Sequence, residues 1–377
     1  MSDRRRSISI VLMLCVILGS CCALPKDLLV GSEQRLGPGT SWGVALGDLD
    51  GDGDLDAVVA DLNTGAEIWL NDGSGSFADS GQHLGLGAFV AIADLDVDGY
   101  PDVLTAGWDQ AVRVWWSSET GLFDAGETPL ASSGCLALGV GDLTGNGLPD
   151  VFVGNIGADH LIVNEGSRCF TDSGERFGDA PTGGVAIGDL DGDGDSDVLA
   201  AGWDEPGHVW TNDGTGTLTA HSELDVAAFH VHGAVLADFD GDGDLDAFFA
   251  LAGGLCCRTL WLNDGTAVFA PRADDFGAGT AQSIAVADLD SDGYLDIVLG
   301  IGTSASRQPS QIWLGHGDGF ADSSLHIGEA FSGGVAVGDL DGDEDLDLFI
   351  SFNRFSGSGY VPHPNEVWLN TSADGEE

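Results

Sequence analysis

Carboxylates are the residues of this 377-residue chain whose type and spacing could do chemistry. Seven times a nine-residue loop of the form Asp-x-Asp-x-Asp-Gly-x-x-Asp, or a close variant, recurs at intervals of 46 to 51 residues. The copies begin at Asp48, Asp94, Asp142, Asp189, Asp238, Asp288 and Asp339. So many like charges in so short a loop repel one another unless a cation sits among them. Alternate positions turn their oxygens toward a common centre, and glycine at position 6 permits the positive-φ turn this requires. An all-oxygen donor set suits calcium ahead of zinc or copper.

In the first loop Asp48, Asp50 and Asp52 are expected to coordinate through side chains, Asp54 through its carbonyl, and Asp56 to close the shell. The fourth and fifth loops repeat the set as Asp189, Asp191, Asp193, Asp197 and Asp238, Asp240, Asp242, Asp246. The second (Asp94, Asp96, Asp98, Asp102) and sixth (Asp288, Asp290, Asp292, Asp296) place Tyr100 and Tyr294 at position 7, where only a carbonyl is required. Two loops depart. The third offers Asp142, Thr144, Asn146 and Asp150, with half the formal charge. The seventh offers Asp339, Asp341, Asp343 and Asp347 but has Glu344 at the glycine position, which forces a strained turn or a shifted loop. Up to seven Ca2+ ions are expected, with the third and seventh seats the weakest. Flanking helices and a position-12 glutamate are missing, so the loops do not read as EF-hands.

A second group of residues could bind an organic ligand. Trp42 and His232 share one repeat position, six residues before the first loop aspartate. Trp108 and Trp203 share another, six residues after the last, and each precedes an aspartate, Asp109 or Asp204. Other repeats carry Leu62, Ile156, Ala252, Gly302 or Asn353 at that place, so packing does not require tryptophan there. Indole faces beside carboxylates suit sugar rings, and they suit a protein partner equally. His230 and His232 read either as channel-lining residues or as an acid/base or metal pair. No Ser-His-Asp order, His-Glu-x-x-His or phosphate-cradling glycine loop occurs, and no catalytic residue is assigned.

These groups are positioned by a four-part repeat. An apolar run alternating with Ala or Gly (Val44-Ala45-Leu46-Gly47, Val185-Ala186-Ile187-Gly188) precedes each loop, and a β-rich run such as Ala57-Val58-Val59-Ala60 follows it. A third run carries Trp69, Trp115, Ile162, Trp210, Trp261, Trp313 or Trp368, expected as blade core, and Asn-Asp-Gly turns follow three of these runs. A fourth begins near Phe77, Phe123, Phe170, Leu218, Phe269 and Phe320. Four antiparallel strands, seven times over, predict an all-β, seven-bladed β-propeller. The seventh repeat stops after its third strand at Asn370, and Val30 to Gly37 aligns with the missing fourth. An N-terminal strand is therefore expected to complete the last blade and leave no open edge.

These repeats resemble the FG-GAP/VCBS family, the propeller repeats also found in the head of integrin α chains. The name motif stands as Phe177-Gly178-Asp179-Ala180-Pro181, and in eroded form as Phe276-Gly277-Ala278-Gly279 and Ile327-Gly328-Glu329-Ala330. The resemblance spans about residues 28–370. It implies a calcium-loaded extracellular propeller and leaves the activity open, because one fold hosts adhesion, glycan binding and catalysis alike.

Composition narrows the partners. The formal charge is −50, with 12 basic residues, which repels nucleic acid and anionic membrane surfaces. Half of the 62 acidic residues lie in the seven loops. Residues 1–23 read as a signal peptide, with Arg4, Arg5 and Arg6 before the apolar run Ile8 to Leu18. Leu18-Gly19-Ser20-Cys21 leaves two outcomes open: a lipoprotein with Cys21 as first residue, or cleavage after Ala23. Residues 371–377 form an acidic tail expected to be disordered. Cys135, Cys169, Cys256 and Cys257 lack metal-ligand spacing. The expectation is a secreted or surface-anchored monomer, periplasmic or outer-membrane if lipidated, binding carbohydrate or a surface glycoprotein. A polysaccharide lyase or dehydratase using His230, His232 and Asp109 or Asp204, and a purely structural subunit, are the alternatives.

Overall fold

A computed structural model describes residues 28–371 apart from 38–39, 127–128, 132, 227–229, 253–257, 275, 277–279, 303–307, 318, 329–330, 354, 357–358 and 361–362. The leader, the tail from 372 and the Cys256-Cys257 pair lie outside the described residues. Those described form seven four-stranded antiparallel sheets, with one extra hairpin, Phe355–Ser356 with Gly359–Tyr360. The fold is the expected seven-bladed β-propeller. Blade 1 comprises Ser41–Gly47, Asp56–Asp61, Glu67–Asn71 and Phe77–His83, and blades 2 to 6 repeat that order. First strands of neighbouring blades touch all round the ring, from blade 1 through blade 7 and back to blade 1.

Closure follows the sequence expectation. Leu29–Gly31 pairs antiparallel with Glu366–Asn370, with Val30 opposite Leu369, and so supplies the outer strand of blade 7. Leu36 bridges to Asn365 further along the same edge.

Burial explains the residue pattern. The second strand of each blade lies between strands on either side and between neighbouring blades, and Asp56–Asp61 is buried at every position. First strands carry small residues because the next blade leaves no room. A Cβ on Gly139 would lie 2.6 Å from Val185, and one on Gly334 2.9 Å from the backbone nitrogen of Val44. The apolar clusters lie between blades. One joins Ala57, Val59 and Trp69 of blade 1 to Leu340, Phe349 and Val367 of blade 7. The third-strand tryptophans pack there, with Ile162 in the equivalent place in blade 3. Phe177 of the Phe-Gly motif plugs the core against Phe152 and Trp210, and Gly178 takes φ 60 to hand the chain to blade 4.

Candidate functional site

The loops joining first to second strands all lie on one face. The first aspartate of each loop is a turn-builder: Asp48 accepts from the amides of Gly51 and Gly53. That geometry needs two left-handed residues, at positions 4 and 6. Position 6 carried a glycine signal in six of the seven loops. Position 4 did not, because Val97 (φ 58) and Ser291 (φ 57) hold it in the second and sixth loops.

The position-9 aspartate does more than close a metal shell. Asp56 is fully buried; one oxygen accepts from the Leu49 amide and the other from Asn71 at the end of the third strand. Asp102, Asp150, Asp197, Asp246, Asp296 and Asp347 repeat this buried role with backbone donors at the same two repeat positions, and Asp150 takes a third from the Thr144 amide. Burial raises Asp56, Asp102 and Asp246 to about 6, and Asp296 and Asp347 to about 7, against the opposing pull of their amide donors.

The asparagine closing most third strands is a latch rather than a turn residue. Asn71, Asn164, Asn212, Asn263 and Asn370 each donate a side-chain amide to the position-2 carbonyl of the preceding blade's loop: Leu340, Leu95, Leu143, Leu190 and Leu289.

The loops fit a cation on three observations. In five of them carboxylate oxygens of positions 1, 3 and 9 lie within 4.8 Å of one another: Asp48, Asp50, Asp56; Asp94, Asp96, Asp102; Asp189, Asp191, Asp197; Asp238, Asp240, Asp246; and Asp288, Asp290, Asp296. One buried oxygen of the position-3 aspartate accepts no hydrogen bond in Asp50, Asp96, Asp290 and Asp341. Burial first, and then neighbouring carboxylates, raise the pKa of Asp50, Asp191, Asp240, Asp290 and Asp341. Crowded anions with orphaned lone pairs are what a cation would satisfy. Positions 5 (Asp52, Asp193, Asp242) cap the backbone two residues on.

The departing loops resolve differently. In the third, the Thr144 hydroxyl donates to Asp150 and the Asn146 amide to the Asn164 carbonyl, so neutral hydrogen bonds fill that loop. In the seventh, Glu344 adopts φ 73 and its amide still reaches Asp339 at 3.1 Å. Of the two outcomes expected there, the strained turn occurs and the loop is not shifted. In the second, Arg168 of blade 3 places Nε 2.5 Å from Asp96 Oδ2, a contact with no advance sign in the sequence.

The opposite face carries the aromatic candidates, in two clusters rather than one rim. Trp42 of blade 1 meets Trp108 of blade 2 edge-on at 4.9 Å, flanked by Phe331 of blade 7 and Phe89 of blade 2. Trp203 of blade 4 packs on His230 and His232 of blade 5 at 5.1 and 4.9 Å. His230 Nδ1 lies 2.9 Å from Asp204 Oδ1. Asp109 is exposed beside Trp108. Burial, with a smaller contribution from His230, lowers His232 to about 4 and keeps its ring neutral. Trp108 and Trp203, equivalent in sequence, thus have different surroundings.

Trp42 and His232 owe their direction to a β-bulge. The ladder of first and second strands skips one residue in six blades: Trp42, Leu136, Gly183, His232, Gln282 and Gly333. A bulge re-aims its extra side chain. Phe331 and Phe89, which complete the first cluster, were not singled out in the sequence because their repeat positions differ. Cavities of about 530 and 630 Å³ beside blade 4 share Asp179, His208 and Glu223.

A closed ring of seven four-stranded blades, with an acidic turn on every first-to-second connection, defines a repeat propeller. The FG-GAP-like repeat model matches residues 48–105, 94–153, 142–200 and 189–249, over half of the chain, and the protein belongs to that family. It is 26% identical over 213 residues to cartilage acidic protein 1 of Mus musculus, covering 50% of this chain and 32% of that protein. The chain therefore matches about a third of that relative's length. Among solved structures, an Agrocybe aegerita lectin described for recognition of non-reducing terminal N-acetylglucosamine aligns with a TM-score of 0.53 at 22% identity, covering 82% of this chain and 84% of that one. BBS1N, solved with ARL6DN, aligns with a TM-score of 0.60 at 11% identity, covering 90% and 96%. At these identities the likeness concerns the fold.

Proposed function

We propose that this protein is an exported, calcium-stabilised propeller that binds a carbohydrate or a surface glycoprotein through the face opposite its acidic loops. The observation that carries the reading is the Trp42, Trp108, Phe89 and Phe331 cluster, where three blades contribute rings at the end of the disc away from the metal loops. Partly exposed indole beside Asp109 offers an apolar face for sugar CH groups and an acceptor for hydroxyls. The calcium part rests on the orphaned position-3 oxygens and on the oxygen-only donor set. Loops of this kind in extracellular modules hold calcium at roughly 10⁻⁴–10⁻³ M, and their role here is to staple the blades. The likeness to a sugar-recognising lectin propeller is in keeping with this reading.

The His230–Asp204 contact favours a second reading, a carbohydrate-active enzyme with His230 oriented by a carboxylate. One experiment separates the two. The protein in millimolar calcium is incubated with a polysaccharide array, and both retention and released unsaturated or shortened products are scored. Retention without products supports the binding module; product release supports the enzyme. Neither result with any glycan would overturn both and leave a protein partner, to be sought by pull-down.

A further inference from the structure

We propose that the resident cation of the second acidic loop is the guanidinium of Arg168 and not a divalent ion. Arg168 projects from the hairpin joining the third and fourth strands of blade 3, His160–Asn164 and Phe170–Asp172. Its Nε donates to Asp96 Oδ2 at 2.5 Å, and a terminal nitrogen lies 3.7 Å from Asp98 Oδ2. Asp96, at position 3, is one of the three carboxylates that converge in this loop with Asp94 and Asp102, and Asp98 stands beside it at position 5. The other side of the guanidinium problem is also solved, because its carbon lies 4.9 Å from the Trp116 ring centroid. Arginine, planar and weakly hydrated, is suited to being held between a carboxylate and an indole.

The carboxylate end is sheltered, with the Asp96 side chain 9% exposed, while the Arg168 side chain is 44% exposed and its guanidinium stays open to solvent on one side. In the corresponding turns of blades 1 and 4 the left-handed place of Arg168 is glycine, Gly75 and Gly216, and in blade 5 it is Ala267 at φ 58. Blade 3 keeps glycine at the earlier place (Gly166, φ 78), while Ser167 and Arg168 adopt φ 56 and 62, a conformation that L side chains disfavour. The adjacent third loop is already closed by Thr144 and Asn146. Calcium would then occupy a continuous arc of five blades, from the fourth through the seventh to the first, and blades 2 and 3 would be joined by an organic cation.

The inference rests on the calcium reading of the remaining loops, and the test tells the two apart. Calcium bound per chain is counted by native mass spectrometry and equilibrium dialysis. Arg168→Gln should bind one ion more than the wild type, Arg168→Lys the wild-type number, and Arg168→Gln with Asp96→Asn should lose the extra ion again. Equal counts in wild type and Arg168→Gln overturn the proposal. Calcium absent from every form would defeat the calcium reading alone. The Arg168 assignment is then decided in chelator, where the melting temperatures of Arg168→Gln, Asp96→Asn and the double variant should be non-additive. Simple additivity overturns it.

Discussion

The side-chain amide of Asn71, in blade 1, donates to the carbonyl of Leu340, in blade 7, at 2.8 Å across 269 positions of sequence. The same amide also reaches the Leu55 carbonyl of its own blade, while the Asn71 backbone donates to buried Asp56. One residue thus ties together its own loop, its own strand end and the neighbouring blade. The first and last blades are held by this link as well as by the Leu29–Gly31 strand.

Asn71→Ala should therefore destabilise the ring by about 1–3 kcal/mol, the cost of leaving buried carbonyls short of a donor. Urea unfolding measures it. Asn212→Ala, which breaks the equivalent link to Leu143, should cost a similar amount. A loss near zero at both sites would show that the latch is dispensable.

Removal of calcium should lower the melting temperature by more than about ten degrees, since chelation withdraws a ligand of the folded state and leaves the loop carboxylates to repel one another. A shift of a degree or two in calorimetry would defeat the metal assignment.

Glu344→Gly should raise stability by about 1 kcal/mol or slightly less. It relieves a side chain held at φ 73, against which the extra freedom glycine gives the unfolded chain must be set. Denaturation in saturating calcium reads the difference, and a destabilised variant would mean that the glutamate itself serves the loop.

Asp159 supplies a pH signature away from the acidic loops. It is 2% exposed, accepts from the Asn155 amide and the Thr182 hydroxyl, and burial raises it from 3.8 to about 7. The folded state therefore holds this proton more tightly than the unfolded state. The associated stability is complete below about 4 and is lost as pH rises toward 7, by up to about 4 kcal/mol. Subtracting the pH–stability curve of Asp159→Asn from that of the wild type should isolate this slope. Parallel curves between pH 4 and 7 would contradict it.

The two aromatic clusters can be tested separately. Trp108→Ala should abolish retention of any glycan found to bind, and Trp203→Ala should weaken it only if the ligand reaches blades 4 and 5. Both variants should melt near the wild type, since these indoles stand outside the interblade core. Normal binding by the double variant would refute the aromatic-face reading.

Much of the fold could be read from the chain because its strongest signals are local. Gly at position 6, the Trp of the third strand and the alternation of Val44-Ala45-Leu46-Gly47 each follow from one strand or turn. Circular closure was legible as well, since Val30 to Gly37 aligns with the missing fourth strand. What escaped depends on contacts between blades. Asn71 looks like the start of an Asn-Asp-Gly turn until Leu340 is beside it. Arg168 looks like an ordinary hairpin residue until the ring brings it onto Asp96. Trp42 and Trp108 sit at different repeat positions, so nothing in the alignment pairs them, whereas Trp108 and Trp203 align and lie apart.

The bulge has a consequence for how such a disc can change its partner. Its extra residue stands outside the register of the ladder, so the pairing of the flanking residues does not depend on which side chain it bears. In this chain the series around the ring is Trp42, Leu136, Gly183, His232, Gln282 and Gly333. Trp42, His232 and Gln282 act as exchangeable fittings on a common frame that set the chemistry of one surface, whereas at Gly183 and Gly333 a Cβ would lie 2.0 and 2.2 Å from the carbonyls of Val231 and Ser41 in the next blade, so those two places are held to glycine.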